Sequence, residues 1–224
     1  MIGVAHWLDG TAVTLWGAKV SWAEAIGDAS GIACVALTAR QNVWNWPIGL
    51  VNNVMWVWLF FRARLYGDST LNAFFFVLGC YGWWAWSTAG ATGAPGATGA
   101  AVRVRRTRRH EWLVLAVLVA LGTAGWTWFL ARHTDSPVPL ADASVVTLSL
   151  AATWQQAQKQ FDMWWVWITV DVISVPLYVS RGLYPTALVY VVFGALCVVG
   201  LRDWRRELAA AEAEAEAGAE DVVA

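Results

Sequence analysis

The chain has 224 residues, of which 58% are hydrophobic and only 14% are charged, whereas soluble domains carry about 25% charged residues. This composition excludes an ordinary soluble domain and favours an integral membrane protein. The 15 basic and 16 acidic residues leave a formal net charge of −1, so no overall positive field points to a nucleic-acid partner.

The first segment, residues 1–20, has the pattern of an amphipathic helix that lies in the membrane interface. A short soluble cap is the alternative interpretation. The segment has no basic region before an apolar core, so it lacks the pattern of a cleaved signal peptide. Apolar residues recur at steps of three and four opposite Asp9 and Lys19, namely Val4, Trp7, Leu8, Ala12, Leu15 and Trp16.

Seven windows are long and apolar enough to cross a bilayer, which takes about 20 residues in a helix. The sequence therefore predicts an all-α membrane protein with seven transmembrane helices. After them, the Ala/Glu-rich residues 207–224 carry too little apolar surface to require burial, and a solvated tail is predicted. The windows lie at residues 22–40, 44–63, 68–88, 111–131, 141–159, 163–180 and 184–203.

A linker rich in Gly, Ala, Thr and Pro, residues 89–110, separates the third and fourth windows and ends in a cluster of arginines. By the positive-inside rule this linker is cytoplasmic. Alternation from that anchor places ten basic residues inside and five outside. The predicted N-terminus is then outside and the C-terminus in the cytoplasm, with Arg62 and Arg64 as the discordant pair.

An internal repeat is visible when the chain is aligned with itself at an offset of 118 residues. It predicts two parallel three-helix bundles, 22–88 and 141–206, joined by a connecting helix at 111–131 in a 3+1+3 arrangement. Parallel repeats of this kind occur in transporters, with the substrate at the repeat interface near mid-membrane. Without a gap, the register pairs Trp46 with Trp164, Gly82 with Gly200, Trp86 with Trp204 and Asn53 with Asp171.

Polar side chains inside a membrane span are costly and are therefore candidates for function. Trp164, Trp167 and Asp171 share one face of the sixth helix. Indole faces there can hold a flat cation by cation–π attraction of about 0.5–2 kcal/mol each. Carboxamides have paired donors and acceptors and can bind a polar ligand without carrying charge, although Asn52 and Asn53 can instead bond between helices as packing contacts. The polar candidates are Asn45, Asn52, Asn53, Asn72, Gln155, Gln156, Gln158, Thr169 and Asp171.

Many of the 18 tryptophans are expected in the aromatic belts at the membrane surfaces. Gly82 and Gly200 are interpreted as positions where helices pack closely. The tryptophans near predicted helix ends are assigned to the belts, and they are Trp7, Trp16, Trp22, Trp44, Trp112 and Trp204.

Five stretches of the sequence resemble the PnuC family of bacterial nicotinamide riboside transporters, over approximately residues 22–206. The stretches are NVWNWPIGLVNN (42–53), LYGD (65–68), YGWWAW (81–86), WWVWITVDVIS (164–174) and GLYPTALVY (182–190). The resemblance implies a full-length relative of the SWEET sugar carriers in a bacterial inner membrane, assembled as a homotrimer. It also implies facilitated diffusion of nicotinamide riboside, with net uptake driven by a cytosolic kinase that phosphorylates the vitamin.

The family motif W-x-x-W-x-x-x-N reads Trp164, Trp167 and Asp171 in this sequence, so an aspartate replaces the usual carboxamide. Thiamine and riboflavin, which the resemblance assigns to close relatives, stay open as substrates, as does a vitamin sensor that does not transport. The candidate substrate-binding residues are Trp164, Trp167, Asp171, Asn52, Asn53, Trp46, Gln155, Gln158, Trp84 and Tyr81.

The sequence lacks the motifs that are typical of other classes of membrane protein, such as enzymes, ATP-driven pumps and retinal proteins. It contains no HExxH, GxSxG or P-loop pattern, and its three cysteines have no metal-ligand spacing. The only lysines, Lys19 and Lys159, leave the last helix without a lysine for a retinal Schiff base. We therefore expect no catalytic residues, metal or cofactor. Coupling to protons stays open, because Asp171 alone can carry one.

Overall fold

The computed structural model describes residues 10–15, 18–62, 66–91, 104–134 and 137–223. Within these ranges, seven helices follow a short β-hairpin. Each helix lies at one of the seven predicted windows, so the prediction of a seven-helix protein is confirmed. The helices are α1 (Trp22–Ala39), α2 (Asn45–Arg62), α3 (Tyr66–Ala91), α4 (Arg109–His133), α5 (Pro139–Ala157), α6 (Met163–Ser180) and α7 (Tyr184–Val223).

The hairpin corrects the helix expected within residues 1–20. Strand β1 (Thr11–Leu15) pairs antiparallel with β2 (Ala18–Ser21). β-branched side chains such as Val13 and Thr14 are stiff and favour strands over helices, which outweighs the helical spacing of the apolar residues. Residues 1–9 and Trp16 lie outside the described part of the chain.

Local signals fix the start of α1 and the start of α5. Ser21 Oγ accepts a hydrogen bond from the Glu24 N–H at 3.2 Å, and the Glu24 carboxylate accepts one from the Ser21 N–H at 2.8 Å. This capping box satisfies two N–H groups that a helix start otherwise leaves without partners. Pro139 begins α5, where its missing N–H and fixed φ are tolerated.

Among the described helices, α4, α6 and α7 as far as Ala210 are long and apolar enough by composition to cross a membrane. The other four carry more polar residues, which lowers their mean hydropathy. In α2 and α5 several of these polar side chains, including Asn45, Ser149 and Thr153, are buried in the bundle. The polar groups therefore face the protein interior, as expected for polar residues at membrane depth.

The helices of the two predicted bundles pack against each other in a reciprocal way. We name α1–α3 the first half and α5–α7 the second half. In each half the first helix packs on the second and the second on the third. Across the halves, α1 packs on α7 and α5 packs on α3, while α4 packs on α5. The first helix of each half thus contacts the last helix of the other.

The first aromatic cluster consists of Trp46, Gly82 and Trp86. The Trp46 ring lies against Gly82 so closely that an added Cβ would stand 2.3 Å from it. The same ring meets Trp86 edge-on, with 5.6 Å between centroids. Gly82 therefore acts as a close-packing position, as predicted.

The second aromatic cluster consists of Trp164, Gly200 and Trp204, each 118 positions later. An added Cβ at Gly200 would stand 2.4 Å from the Trp164 ring, and Trp164 meets Trp204 edge-on at 5.6 Å. Trp204 is 0% exposed, so its assignment to an interfacial belt is wrong. The side chain fills the junction between the halves instead of pointing to a membrane surface.

Helices α1 and α5 end in the same conformation. Gln41 and Lys159, which are 118 positions apart, adopt left-handed φ values of 53° and 47°. The N–H of Gln41 bonds to the Thr38 carbonyl at 2.9 Å, and that of Lys159 to the Gln156 carbonyl at 3.0 Å. We name the end of the bundle that holds these two turns and the 104–108 segment the basic end.

The tail predicted from residue 207 onward begins inside the fold. Helix α7 continues without a break to Val223, and Leu208 is buried in the core cluster at the basic end. Glu207 accepts a hydrogen bond from Gln41, and Glu212 pairs with Arg106 at 3.2 Å. The first turns of the tail are therefore anchored to the bundle.

We predict that Gly82→Ala and Gly200→Ala each destabilise the protein by about 1–3 kcal/mol, because the new methyl group overlaps a buried indole ring. Gly125→Ala is the matched control, since an added Cβ there meets nothing within 4 Å and alanine favours a helix by about 0.5–1 kcal/mol. Thermal unfolding of the detergent-solubilised variants measures the effect. Equal melting temperatures for all three variants would contradict the prediction.

Candidate functional site

A cavity of approximately 1160 Å³ lies between the helices and is lined by residues from all seven of them. At one end, which we name the mouth, its lining includes Glu24, Asp142 and Arg181. Toward the basic end it reaches Thr38 and Gln156. Its location between the two halves matches the place expected for a substrate at a repeat interface.

The structure brings six of the ten candidate binding residues to the cavity wall. It places the other four elsewhere in the fold. Those that line the cavity are Trp46, Asn52, Asn53, Trp164, Trp167 and Asp171.

Asp171 is a buried carboxylate in the cavity wall, with only 6% of its surface exposed. The Cys197 thiol hydrogen-bonds to this carboxylate. Among the described residues, its Oδ2 atom has no hydrogen-bond partner and no salt bridge reaches it. It faces Gly194 of α7, where an added Cβ would stand 3.7 Å from Oδ2. A carboxylate held in this way is costly unless a cation or a proton accompanies it.

Trp46 and Trp164 are repeat-equivalent residues of the cavity lining, and each has a buried indole N–H. Their rings are 4% and 1% exposed, and the indole Nε1 of each finds no partner among the described residues. Buried donors without a partner are uncommon in native proteins. Trp167, one helical turn beyond Trp164, is half-buried and also lines the cavity.

Asn52 has a structural contact in addition to its place on the cavity wall. Its amide Nδ2 donates to the Gly27 carbonyl at 3.0 Å and to Ser30 Oγ at 2.6 Å. These bonds join α2 to α1, which is the packing role that the sequence left open. Asn53 lines the cavity beside it.

The four remaining candidates lie outside the cavity lining. Gln155 is 0% exposed and donates to Thr107 Oγ1 at 3.2 Å, on the 104–108 segment. Gln158 Nε2 donates to the Tyr81 hydroxyl at 2.5 Å, which joins α3 to the turn after α5. Trp84 is 63% exposed on the outer surface of α3.

Gln156 is the polar group at the cavity floor that the candidate set omitted. Its Nε2 donates to Thr38 Oγ1 at 3.2 Å and to Asn45 Oδ1 at 3.1 Å. The offset of 118 residues pairs Gln156 with Thr38, so a residue contacts its own repeat equivalent. The register of the repeat is therefore the feature of the sequence that could have identified Gln156 as a cavity residue.

Charged residues at the mouth were also missed, because they lie at helix ends. Arg181 forms a two-pronged salt bridge to Asp142, with Nη2 at 2.9 Å and 2.7 Å from the two carboxylate oxygens. Asp28 of α1 also lines the cavity and has no salt bridge within the described residues.

Lys159 lies at the basic end, in the turn between α5 and α6. Its ammonium lies 4.9 Å from the centre of the Trp86 ring and donates to Gln41 Oε1 at 3.3 Å. Burial lowers the pKa of Lys159, and the nearby Glu207 carboxylate opposes that shift. The lysine is thus engaged with the basic end instead of the cavity.

Comparison with known proteins identifies the family. Residues 21–206 match the nicotinamide mononucleotide transporter family. The riboflavin/roseoflavin transporter RibM of Streptomyces davaonensis is 28% identical over 203 residues, covering 89% of this chain and 92% of that protein. The nicotinamide riboside transporter PnuC of Escherichia coli is 24% identical over 209 residues, covering 84% and 87%.

A solved structure has the same fold. The crystal structure of the vitamin B3 transporter PnuC matches with a TM-score of 0.65 and 22% sequence identity, over 84% of this chain and 82% of that one. The predicted resemblance to PnuC is confirmed, and the chain belongs to the nicotinamide mononucleotide transporter family of membrane transporters.

Proposed function

We propose that this membrane transporter carries nicotinamide riboside through the cavity between its two halves. The observation that carries the proposal is that three cavity-lining residues, Trp46, Trp164 and Asp171, each hold a buried polar atom without a partner among the described residues. Three further atoms of this kind, in Thr127, Gln155 and Ser174, lie away from the cavity lining. Nicotinamide riboside is a flat pyridinium cation that bears hydroxyl groups and a carboxamide. It offers a cation to Asp171 and a flat ring for the half-buried indole of Trp167, which follows Trp164 by one helical turn.

Riboflavin is the second candidate, because RibM is 28% identical to this chain. Its ring system is neutral, so it leaves the Asp171 carboxylate without a cation. Thiamine carries a positive ring and satisfies Asp171 as nicotinamide riboside does. A vitamin sensor that binds without transport uses the same contacts and differs only in lacking uptake.

We infer that the helices form a 3+1+3 arrangement, with two parallel repeats and α4 as the connecting helix. The reciprocal packing of α1 on α7 and of α5 on α3 supports it. The matching helix ends at Gln41 and Lys159 support it as well. In this arrangement the cavity lies on the axis that relates the halves.

The rest of the proposal concerns orientation and energy. The excess of basic residues at the basic end favours the bacterial cytoplasm on that side, with the mouth outside, the N-terminus outside and the C-terminus inside. We propose facilitated diffusion, made into net uptake by a cytosolic kinase that traps the vitamin. We also propose a homotrimer, which the resemblance to the PnuC family implies.

Uptake into proteoliposomes tests the function directly. We expect labelled nicotinamide riboside to enter faster than thiamine or riboflavin and to stop at equal concentrations, with no response to an imposed proton or sodium gradient. Protein-free liposomes are the control. Faster uptake of riboflavin would reject the substrate, and accumulation above the outside level without a kinase would reject facilitated diffusion.

We predict that Asp171→Asn weakens the binding of nicotinamide riboside by about tenfold or more, because a charge-assisted contact contributes about 1.5–3 kcal/mol. Trp164→Ala should weaken it comparably. Titration calorimetry on purified protein measures both. Asp203→Asn is the matched control, since Asp203 is an exposed carboxylate outside the cavity lining. Unchanged affinity in both Asp171→Asn and Trp164→Ala would remove α6 from the binding site.

A further inference from the structure

Four buried tryptophans form a continuous chain of ring contacts from one half of the bundle to the other. Trp46 contacts Trp86 in the first half at 5.6 Å, and Trp164 contacts Trp204 in the second half at 5.6 Å. Trp86 and Trp204 meet at the centre, 6.3 Å apart. The outer two rings line the cavity, so the chain links the cavity wall to the junction at the basic end.

The central pair also joins the halves by reciprocal hydrogen bonds. Trp86 of α3 donates its indole N–H to the Gln156 carbonyl at 3.2 Å, on the last turn of α5. Trp204 of α7 donates to the Ala39 carbonyl at 3.1 Å, at the end of α1. Each last helix therefore holds the end of the other half's first helix by bonding to a backbone carbonyl of its last turn.

Two further contacts at the basic end join residues that are 118 positions apart. Gln156 donates to Thr38, and Lys159 donates to Gln41 at 3.3 Å. In a twofold arrangement, equivalent residues touch only at the axis. These contacts therefore lie where the two halves must separate if the cavity is to open at this end.

We propose that Trp86 and Trp204 are the gate residues of the basic end, and that breaking their two indole-to-carbonyl bonds opens the cavity there. The inference rests on the proposed transport function. The gate residues act through Trp46 and Trp164, whose rings are held against Gly82 and Gly200. Trp46 and Trp164 also belong to the cavity lining, so a substrate bound in the cavity lies beside the residues that position the gate.

The gate consists of two ordinary hydrogen bonds, and each favours the closed state by about two- to tenfold. The two bonds run in opposite directions between the halves, to acceptors that differ by one position in the repeat, so separation of the halves breaks both together. Such a gate is strong enough to keep one end closed and weak enough to open during each transport cycle.

Sided thiol labelling tests the gate without any vitamin. The reporter is Cys34, which lines the cavity, in a background with Cys80→Ser and Cys197→Ala. A charged methanethiosulfonate reagent is applied to either face of oriented vesicles. Trp86→Phe and Trp204→Phe keep a ring but remove the donor, and each should raise the labelling rate from the basic end by about two- to tenfold. The double variant should label faster than either, while labelling from the mouth should not rise.

The matched control is Trp165→Phe, because Trp165 is 54% exposed and lies next to Trp164 on α6. It should leave labelling from the basic end unchanged. Folding is checked by size-exclusion chromatography of each variant. Labelling from the basic end that stays at the wild-type rate in both single variants and in the double variant would overturn the proposal.

A cross-link provides a second test that does not depend on the tryptophan variants. Gln41→Cys and Lys159→Cys are joined by a short reducible cross-linker across the contact at the axis. The cross-linked protein should bind vitamin from the mouth but lose transport, and reduction should restore it. Transport at the same rate with and without the cross-link would reject the gate. If Cys34 labelling changes in the variants as expected but the wild-type protein transports no vitamin, the proposed function is rejected and the gate is not.

Discussion

The rings of Trp46 and Trp164 occupy space that Gly82 and Gly200 leave free between helices. Because a glycine has no side chain, each indole packs directly on the backbone of the last helix in its own half. That position brings each ring into contact with Trp86 or Trp204, which in turn bond to the other half. The cavity wall and the closed end of the bundle therefore depend on the same two glycine contacts.

The sequence predicts the elements that arise from long-range regularities. Seven apolar windows are set by membrane thickness, and the offset of 118 residues identifies glycine and tryptophan positions that the structure places in equivalent contacts. The hairpin at residues 11–21 was missed, because short segments with β-branched residues fit both helical spacing and strand propensity. Trp204 was misassigned because position near a helix end does not reveal whether the other half covers the side chain.

The rotation of each helix about its axis limited the prediction of the site. Adjacent residues of an α-helix point about 100° apart, so three glutamines close in sequence at the end of α5 face different surroundings. Gln155 and Gln158 bond away from the cavity, whereas Gln156 lies at its floor. Composition alone makes the three equivalent, and the pairing of Gln156 with Thr38 in the repeat is what separates them.

Positions that are alike in the two repeats hold the basic end together, whereas positions that differ between the repeats lie in the cavity wall. The residues that hold the basic end, such as Trp86 and Trp204, are identical or make equivalent contacts in both halves. The cavity wall differs between the halves, because Asp171 replaces the amide of Asn53 at the equivalent position.

A similar difference holds for Gly49 and Trp167, which are also repeat equivalents and both line the cavity. The ring and the carboxylate thus lie on the α6 side, opposite a side with more room. A symmetric gate requires the halves to move together, whereas an asymmetric wall gives a flat, singly charged substrate only one favourable orientation. We therefore expect the proposed substrate to bind off the axis, against α6, and the proposed gate to open on the axis.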